Sequence, residues 1–296
     1  MNTDMVPGSS LLRVSTVKAI MILLVTCLIF MMIIGAVMHL IPMPLTTRTM
    51  RVLAVVQDMF MFILPAAVTA VIVSPYPGRL LDVDRRPSVS WALMGILALL
   101  TAIPAMNWLV EWNEHISLPE VLSGLEAKMK TYEATAQDSV KILMGGTSTA
   151  DLIMGILIIG IFAGVSEELF FRGALLGCMI HSRMNKHLAI WITAIVFSLF
   201  HLQFYGFFPR VLLGAYFGYI VWWTGSVWVS AIIHAFNNSV IVAAEWMSRA
   251  GFIDYDINHT DSSSIALIIG SIILTGGILR AAMKHLGKKE ETGRAD

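Results

Sequence analysis

Long apolar runs dominate the order of hydrophobic and polar positions along the chain, and short polar stretches separate them. Each run has about 20 residues, the length that a helix needs to cross the ~30 Å hydrocarbon core of a bilayer. The first run has no cleavage site of a signal peptide close behind it, so we interpret it as a retained span. The predicted spans are Ala19–Leu40, Val52–Val73, Trp91–Val110, Ile153–Met179, Leu188–Phe204, Val211–Trp223 (the shortest), Ser226–Met247 and Ile265–Met283.

Composition supports this assignment. Hydrophobic residues make up 57% of the 296 residues and charged residues only 14%, whereas soluble domains have about 25% charged residues. The predicted fold class is therefore all-α, a polytopic membrane protein with about eight transmembrane helices, and its first partner is the lipid bilayer. The 20 basic residues balance the 20 acidic ones, so no basic surface points to a nucleic-acid partner.

The order of the spans predicts three regions. Residues 1–150 hold the N-terminal membrane helices and an extramembrane segment at about 111–150, residues 151–250 hold a helical core, and residues 251–296 hold the last span and a polar tail. In the extramembrane segment, apolar residues recur every three or four positions, which predicts an amphipathic helix. Such a helix packs over the membrane core, lies at the membrane interface, or acts as a lid or substrate-contact element. These residues are Leu118, Leu122, Leu125, Met129 and Tyr132.

The basic residues between the spans predict the orientation of the chain. Cytoplasmic loops of membrane proteins carry an excess of lysine and arginine. The loop with Arg79, Arg85 and Arg86 and the basic C-terminal tail both fall on the inner side when the N-terminus is inside. We therefore expect a multi-pass protein of the plasma (cytoplasmic, or inner) membrane with both termini inside.

Ionisable groups within the spans are few, and most of them lie in the second half of the chain. Such groups are costly in a bilayer and by default mark function. At ~1.5 Å per residue, Glu167 and His201 both lie roughly 20 Å from the inner ends of their helices, which run in opposite directions. The polar residues deep in the spans are Asp58, Glu167, Glu168, Arg172, His201, His234, Asn237 and Asn238.

Spacing within the helices separates these side chains by face. Glu168 and Arg172 are four residues apart and can form an ion pair, whereas Glu167 points about 100° away from Glu168. His234 and Asn238 are also four residues apart, so they present polar groups on one side of one helix. A carboxylate and a histidine can polarise a water molecule, and a second histidine and an amide can donate to an oxyanion. The set suits hydrolysis of an amide without a covalent nucleophile.

Three motifs carry a resemblance to a known family. The segment Glu167-Glu168-Leu-Phe-Phe-Arg172 resembles an EExxxR motif, Phe197-Ser-Leu-Phe-His201 resembles FxxxH, and His234-Ala-Phe-Asn-Asn238 resembles HxxxN. Together, over roughly Ile153–Met247, they are similar to the CPBP family (CAAX proteases and bacteriocin-processing enzymes), also called the Abi or type II CAAX prenyl endopeptidase family. The order of the motifs on adjacent spans is the one expected of that family.

The resemblance implies an intramembrane endopeptidase whose catalytic core is residues 151–250. It implies that Glu167 and His201 activate water and that His234 and Asn238 stabilise the transition state. The implied substrate is a peptide or protein in or at the membrane, either CAAX-type and prenylated or bacteriocin-like. The residues with supporting roles are the ion pair Glu168 and Arg172 and a shaping residue, Phe197.

The sequence leaves a metal cofactor open. Members of the family are described both as metalloproteases and as glutamate proteases. The absence of an HExxH motif and the scarcity of further carboxylates favour the second type. If zinc is bound, Glu167, His201 and His234 are the expected ligands.

Two other functions compete with proteolysis. An ion- or proton-coupled transporter also places carboxylates and histidines in the middle of the membrane. It would be expected to show a repeat between its halves, and the first half has only Asp58 there. A non-proteolytic scaffold or immunity protein would be expected to have a broken motif, and all three motifs are intact.

Overall fold

The computed structural model describes residues 11–41, 46–253 and 264–292, with side chains up to residue 286. The regular elements of these residues are helices. The end of the expected polar tail, residues 293–296, lies outside the described residues. The main helices follow one another as α1 (Thr16–His39), α2 (Thr47–Val73), α3 (Val89–Glu114), α4 (Ser123–Leu143), α5 (Thr149–Ile180), α6 (Lys186–Phe200), α7 (Phe207–Thr224), α8 (Val227–Arg249) and α9 (Ile265–Thr292).

An all-α polytopic membrane fold is confirmed. Seven helices in the described part of the chain are long and apolar enough to cross a membrane, and α6 is a shorter apolar helix between two of them. One-turn helices connect some of these elements at Pro77–Leu80, Glu120–Leu122 and Phe204–Gly206. The division into the three regions stays a prediction.

The predicted limits of the fifth and sixth spans are wrong. The predicted span Leu188–Phe204 corresponds to α6, which ends at Phe200 and has 15 residues, a length of about 22 Å. The next helix, expected to be the shortest, has 18 residues and begins at Phe207. Helix α6 ends before the predicted Phe204 because Leu202 adopts a φ of 52°. An α-helix cannot continue through this left-handed conformation.

Polar caps fix where several helices begin. The side chain of Ser15 accepts a hydrogen bond from the backbone of Lys18 at the start of α1. Ser148 and Asp151 form a reciprocal capping box at the start of α5, which satisfies backbone N–H groups that would otherwise lack partners. Asp151 also pairs with Arg51 of α2 at 2.9 Å, so the same capping residue joins two helices at this end of the bundle.

Close backbone contact joins α5 to α8. A Cβ atom on Gly164 would lie 3.1 Å from the backbone nitrogen of Ala235, and one on Gly160 would meet the side chain of Ser239. Small residues of this kind let helices approach closely in lipid. This seam brings the segment that carries Glu167 directly against the segment of α8 that carries His234.

Helix α5 changes its winding before the first motif and again within it. The α-helical segment Gly164–Glu168 lies between two π-helical segments, Ile156–Ala163 and Leu169–Leu176. A further π-helical turn, Met59–Ile63, follows Asp58 in α2. Such turns are rare in proteins as a whole, but those that occur are often at functional sites. They rotate the side chains that follow away from the regular helical register.

Helix α4 lies across one end of the bundle, where it contacts α2 and the turn Phe204–Gly206. Leu122, Leu125 and Tyr132 of its apolar stripe are exposed, whereas Glu133 and Gln137 face a cavity beneath the helix. The role of this helix, packed over the membrane core, lying at the interface or acting as a lid, stays a prediction.

Candidate active site

The predicted ion pair is present and lies at the centre of a larger buried cluster. Arg172 Nη1 donates to Glu168 Oε1 at 2.8 Å, and both side chains are completely buried. Arg172 Nη2 donates to the carbonyl oxygen of Gly214 at 3.0 Å, which ties α5 to α7. The same Oε1 atom of Glu168 lies 3.0 Å from Nδ1 of His234. The ion pair therefore holds the imidazole of His234 as well as two helices.

His234 lies between two carboxylates. Its Nδ1 contacts Glu168, and its Nε2 lies 3.8 Å from Oε2 of Glu167. Glu167, which has no predicted partner in its own helix, thus has a neighbour on α8. The side chain of Glu167 is 16% exposed, whereas that of Glu168 is fully buried. Of the two adjacent carboxylates, only Glu167 is open to a small molecule such as water.

His201 ends α6 and has one ring nitrogen free. Its Nδ1 lies 2.9 Å from the carbonyl oxygen of Phe197. A carbonyl oxygen only accepts, so Nδ1 carries a hydrogen, and in the neutral imidazole Nε2 is then the nitrogen with the lone pair. Glu167 is near enough for its charge to act on this imidazole, and His234 also interacts with it. The three groups therefore converge, as the depth argument predicts.

Aromatic rings form the wall around both histidines. The ring centroid of Phe197 lies 5.0 Å from that of His201 and 6.1 Å from that of His234. The guanidinium of Arg172 lies over the same phenylalanine at 4.4 Å. Phe217 stacks on His234 at 4.7 Å and 22°. Nothing in the motif spacing indicates Phe217, because it lies on α7 outside the three motifs.

The two asparagines of α8 contact each other and the cavity. Asn238 Nδ2 donates to the carbonyl oxygen of Ile159 at 3.4 Å, and Asn237 Nδ2 donates to Asn238 Oδ1 at 3.3 Å. Both line the same cavity as His201. Asn238 lies one helical turn beyond His234, so α8 presents an imidazole and an amide on neighbouring turns.

A cavity of about 940 Å³ leads from His201 and Asn238 to the end of the bundle under α4. The C-terminal part of α3 and the turn that follows α6, with Gln203, Tyr205 and Gly206, line this cavity. The space beyond the end of α6 is left open, and α4 covers it. Apolar residues that line the cavity include Met106, Val110, Val140, Leu213 and Ile241.

A second polar cluster borders this cavity. Gln203 Nε2 donates to Glu133 Oε1 at 3.3 Å, and Arg210 donates to the carbonyl oxygen and, at 3.4 Å, to Oε1 of Gln203. Burial raises the pKa of Glu133, and the charge of Arg210 opposes that shift. The sequence analysis missed these residues, because they come from three separate segments with no shared spacing.

The candidate zinc ligands Glu167, His201 and His234 are not drawn together in this structure to the spacing of a metal site. Within the part of the chain that the structure describes, no three His, Cys, Asp or Glu side chains are arranged to hold a metal ion. Tetrahedral zinc with bonds of ~2.0–2.1 Å needs ligand atoms about 3.3 Å apart, whereas Glu167 Oε2 and His234 Nε2 are 3.8 Å apart.

Comparison with known protein families adds an independent observation. Residues 149–240 match the family model described as type II CAAX prenyl endopeptidase Rce1-like. The matched range extends from the start of α5 into α8 and includes every residue of the three motifs. No curated protein and no solved structure matches the chain.

Proposed function

We propose that this chain, whose residues 149–240 match the family model of type II CAAX prenyl endopeptidases, hydrolyses a peptide bond of a membrane-associated substrate. The proposed substrate is a prenylated CAAX-type or bacteriocin-like peptide. The observation that carries the proposal is the convergence of Glu167, His201 and His234 beside a cavity that can hold a peptide segment.

The proposed first step is activation of water by Glu167 and His201. Nε2 of His201 has a free lone pair and Glu167 is the more exposed of the two carboxylates. This pair takes one proton from a water molecule, and the oxygen attacks the carbonyl carbon of the scissile bond. As the C–N bond breaks, the pair returns the proton to the leaving amine.

The proposed second role is stabilisation of the oxyanion by His234 and Asn238. Nδ1–H of His234 donates to Glu168, which fixes the orientation of the ring. When Nε2 is also protonated, its N–H is directed toward the Glu167 side, where a tetrahedral intermediate would form. The amide of Asn238 borders the cavity one turn away. Donors fixed in advance in a site shielded from bulk water are effective oxyanion stabilisers.

The proposal also includes an orientation in the plasma membrane. The loop between α2 and α3, with Arg79, Arg85 and Arg86, lies at the opposite end of α3 from the cavity. With that loop inside, the termini are inside and the cavity opens on the outer face. An impermeant maleimide applied to intact cells should then label Glu114→Cys and leave Arg86→Cys unlabelled. The reverse pattern would contradict this orientation.

The test of the activity uses the purified protein in detergent with two sets of quenched-fluorescent peptides. One set ends in a prenylated cysteine motif and the other contains bacteriocin-like leader sequences. Glu167→Gln should lower kcat by roughly 10²–10⁴-fold, the usual contribution of a general base. His201→Gln should do the same, whereas His187→Gln, which removes a histidine bonded to Tyr219 on an exposed face, should not.

Other outcomes of this assay separate the alternatives. Full activity in Glu167→Gln would contradict the mechanism. Activity that a chelator abolishes and zinc restores would favour a metalloprotease over the glutamate type proposed here. Proton-driven solute uptake by proteoliposomes without cleavage of any peptide would favour a transporter, and the absence of both activities would favour a scaffold or immunity protein.

A further inference from the structure

Arg210 is a cation on the cavity wall that the proposed mechanism does not use. It lies in the first turn of α7 and borders the same cavity as His201. Its guanidinium donates to the carbonyl oxygen and to the Oε1 atom of Gln203. Arginine has five N–H groups, and among the described residues the buried Nε atom has no hydrogen-bond partner. Part of the donor capacity of Arg210 is therefore unused.

Arg210 differs from the lysine and the other arginine that line the cavity. Lys141 lies 3.6 Å from Asp138, and Arg249 lies 3.7 Å from Glu245, so each has a carboxylate partner. Within the described part of the chain, no carboxylate oxygen lies within 4.0 Å of the Arg210 guanidinium. Charged groups shielded from water are normally paired. Arg210 is thus the cation of this wall that is left for an anion from outside the chain.

The charge of Glu133 acts on Arg210 without forming an ion pair with it. The Oε1 atom of Glu133 accepts from Gln203 Nε2 at 3.3 Å, and its Oε2 atom has no hydrogen-bond partner in the described ranges. Gln203 therefore lies between the two opposite charges and contacts both. An anion can bind to Arg210 without displacing an existing ion pair.

The turn that follows α6 fixes the guanidinium and leaves space for it. Gln203 accepts its hydrogen bonds, and a Cβ atom on Gly206 would lie 2.5 Å from Nη1 and 2.9 Å from Cζ of Arg210. Gly206 also lines the cavity. A guanidinium held in place in this way can bind a carboxylate through parallel N–H bonds, at a lower entropic cost than a mobile one.

The rest of the wall indicates what carries the anion. The apolar lining residues include Leu213, which lies three residues after Arg210 and therefore on a neighbouring part of α7. Mostly apolar pockets with a few fixed polar groups bind apolar ligands and orient them through their polar atoms. The charge of Arg210 also acts on His201. Because an extended peptide advances ~3.3 Å per residue, a carboxylate held by Arg210 would lie a few residues from the scissile bond.

We propose that Arg210 binds a carboxylate group of the substrate, so that the cavity selects apolar peptides with one carboxylate a few residues from the cleavage site. The carboxylate belongs either to the free C-terminus of the peptide or to an acidic side chain, and both present the same two oxygens to a guanidinium. That the ligand is a substrate rests on the proposed function, whereas its binding can be measured without cleavage.

The first experiment measures binding of three dye-labelled peptides to the full-length Glu167→Gln protein in detergent by fluorescence anisotropy. The peptides share one apolar sequence with a prenylated cysteine. The first ends in a free carboxyl group, the second in a carboxamide, and the third in a carboxamide preceded by one glutamate. At least one carboxylate peptide should bind about tenfold more tightly than the second peptide, as expected for one charged hydrogen bond.

The pattern of affinities identifies the source of the carboxylate. Tight binding of the first peptide alone assigns it to the chain end, and tight binding of the third assigns it to a side chain. Equal affinity for all three peptides would overturn the proposal.

Variants then locate the preference for the carboxylate. Arg210→Gln should lower the affinity for the carboxylate peptide to that for the carboxamide. Arg249→Gln, on the same wall but paired with Glu245, is the matched control and should keep the preference. Gly206→Ala, which displaces the guanidinium but keeps its charge, should reduce the preference at least threefold and decides the matter if Arg210→Gln does not fold. Unchanged preference in the folded variant, or equal loss in Arg249→Gln, would overturn the proposal.

Failure of this inference is distinguishable from failure of the proposed function. Preferential binding of carboxylate peptides without cleavage of any peptide by the natural protein would refute the proposed function and leave the carboxylate site. Cleavage of the first two peptides by the natural protein with equal KM would refute the carboxylate site and leave the proposed function.

Discussion

Two polar clusters include groups that interact with His201, and they are built differently. The inner cluster of Glu168, Arg172 and His234 is closed and buried, with contacts of 2.8–3.0 Å. The outer cluster of Glu133, Gln203 and Arg210 borders the cavity and includes contacts of 3.3 and 3.4 Å. The inner cluster fixes the orientation of His234 beside Glu167, whereas the outer one borders the open space in which the proposed substrate would lie.

The largest expected effect is on the stability of the inner cluster. Arg172→Met leaves Glu168 buried beside a single histidine, and breaking a buried ion pair costs about 3–5 kcal/mol. The thermal unfolding of the variant in detergent, followed by tryptophan fluorescence, should shift strongly to lower temperature. Lys130→Met, which breaks the exposed pair with Glu126 on α4, serves as the control and should leave the transition unchanged. Equal transitions in both variants would show that the inner pair does not hold the helices together.

The next largest expected effect is a loss of activity when α5 and α8 can no longer approach each other closely. In Gly164→Ala, the added methyl group would lie 3.1–3.2 Å from backbone atoms of Ala235, so the two helices must separate slightly. A displacement of Glu167 relative to His234 by a fraction of an ångström to 1 Å should lower kcat by about 10- to 100-fold. Gly270→Ala on α9, where nothing lies within 4 Å of the new atom, is the matched control. Unchanged kcat in the folded Gly164→Ala variant would mean that the site tolerates this separation.

The structure shows why much of the fold and part of the site can be predicted from the sequence. The long spans follow from run length, since the bilayer fixes how many apolar residues a helix needs. The end of α6 cannot be predicted from run length, because leucine is not a residue that indicates the left-handed backbone conformation of Leu202. The pair Glu168 and Arg172 follows from its four-residue spacing. The bond between Glu168 and His234 does not, because it depends on the rotation of α5 against α8.

Sequence patterns do not predict the outer cluster either, because its contacts also depend on how separate helices are placed against each other. Glu133 comes from α4, and Gln203 and Arg210 flank the turn that follows α6. Their contacts depend on where α4 crosses the end of the bundle. The amphipathic stripe predicts a helix here, but it does not indicate that Glu133 and Gln137 line a cavity beneath that helix. Local spacing therefore predicts contacts within a helix better than contacts across the cavity.

A smaller effect is expected in the outer cluster, where a substitution should change KM rather than kcat. Arg210 is on the cavity wall next to Gln203, so Arg210→Gln should weaken substrate binding and leave the chemical step intact. Loss of one charged hydrogen bond of about 1.5 kcal/mol corresponds to a roughly tenfold rise in KM, with kcat within about threefold. Lys128→Gln, on an exposed part of α4, is the control. A fall in kcat with unchanged KM would assign Arg210 to the inner, catalytic group instead.

The smallest expected effect is a pH dependence of stability from Glu133. Burial raises the pKa of this carboxyl in the folded protein, so the folded state holds the proton more tightly than the unfolded state does. Its contribution to stability is therefore present below the unfolded pKa and is lost as the pH rises through the folded pKa. Glu133→Gln removes this loss, and above that range the variant should be more stable than the natural protein by less than about 1 kcal/mol, since partly exposed charges contribute little. Thermal transitions measured from acidic to neutral pH should converge for the two proteins at the acidic end. A difference that instead grows toward acidic pH would show that Arg210 outweighs burial, and that the outer cluster is as tightly paired as the inner one.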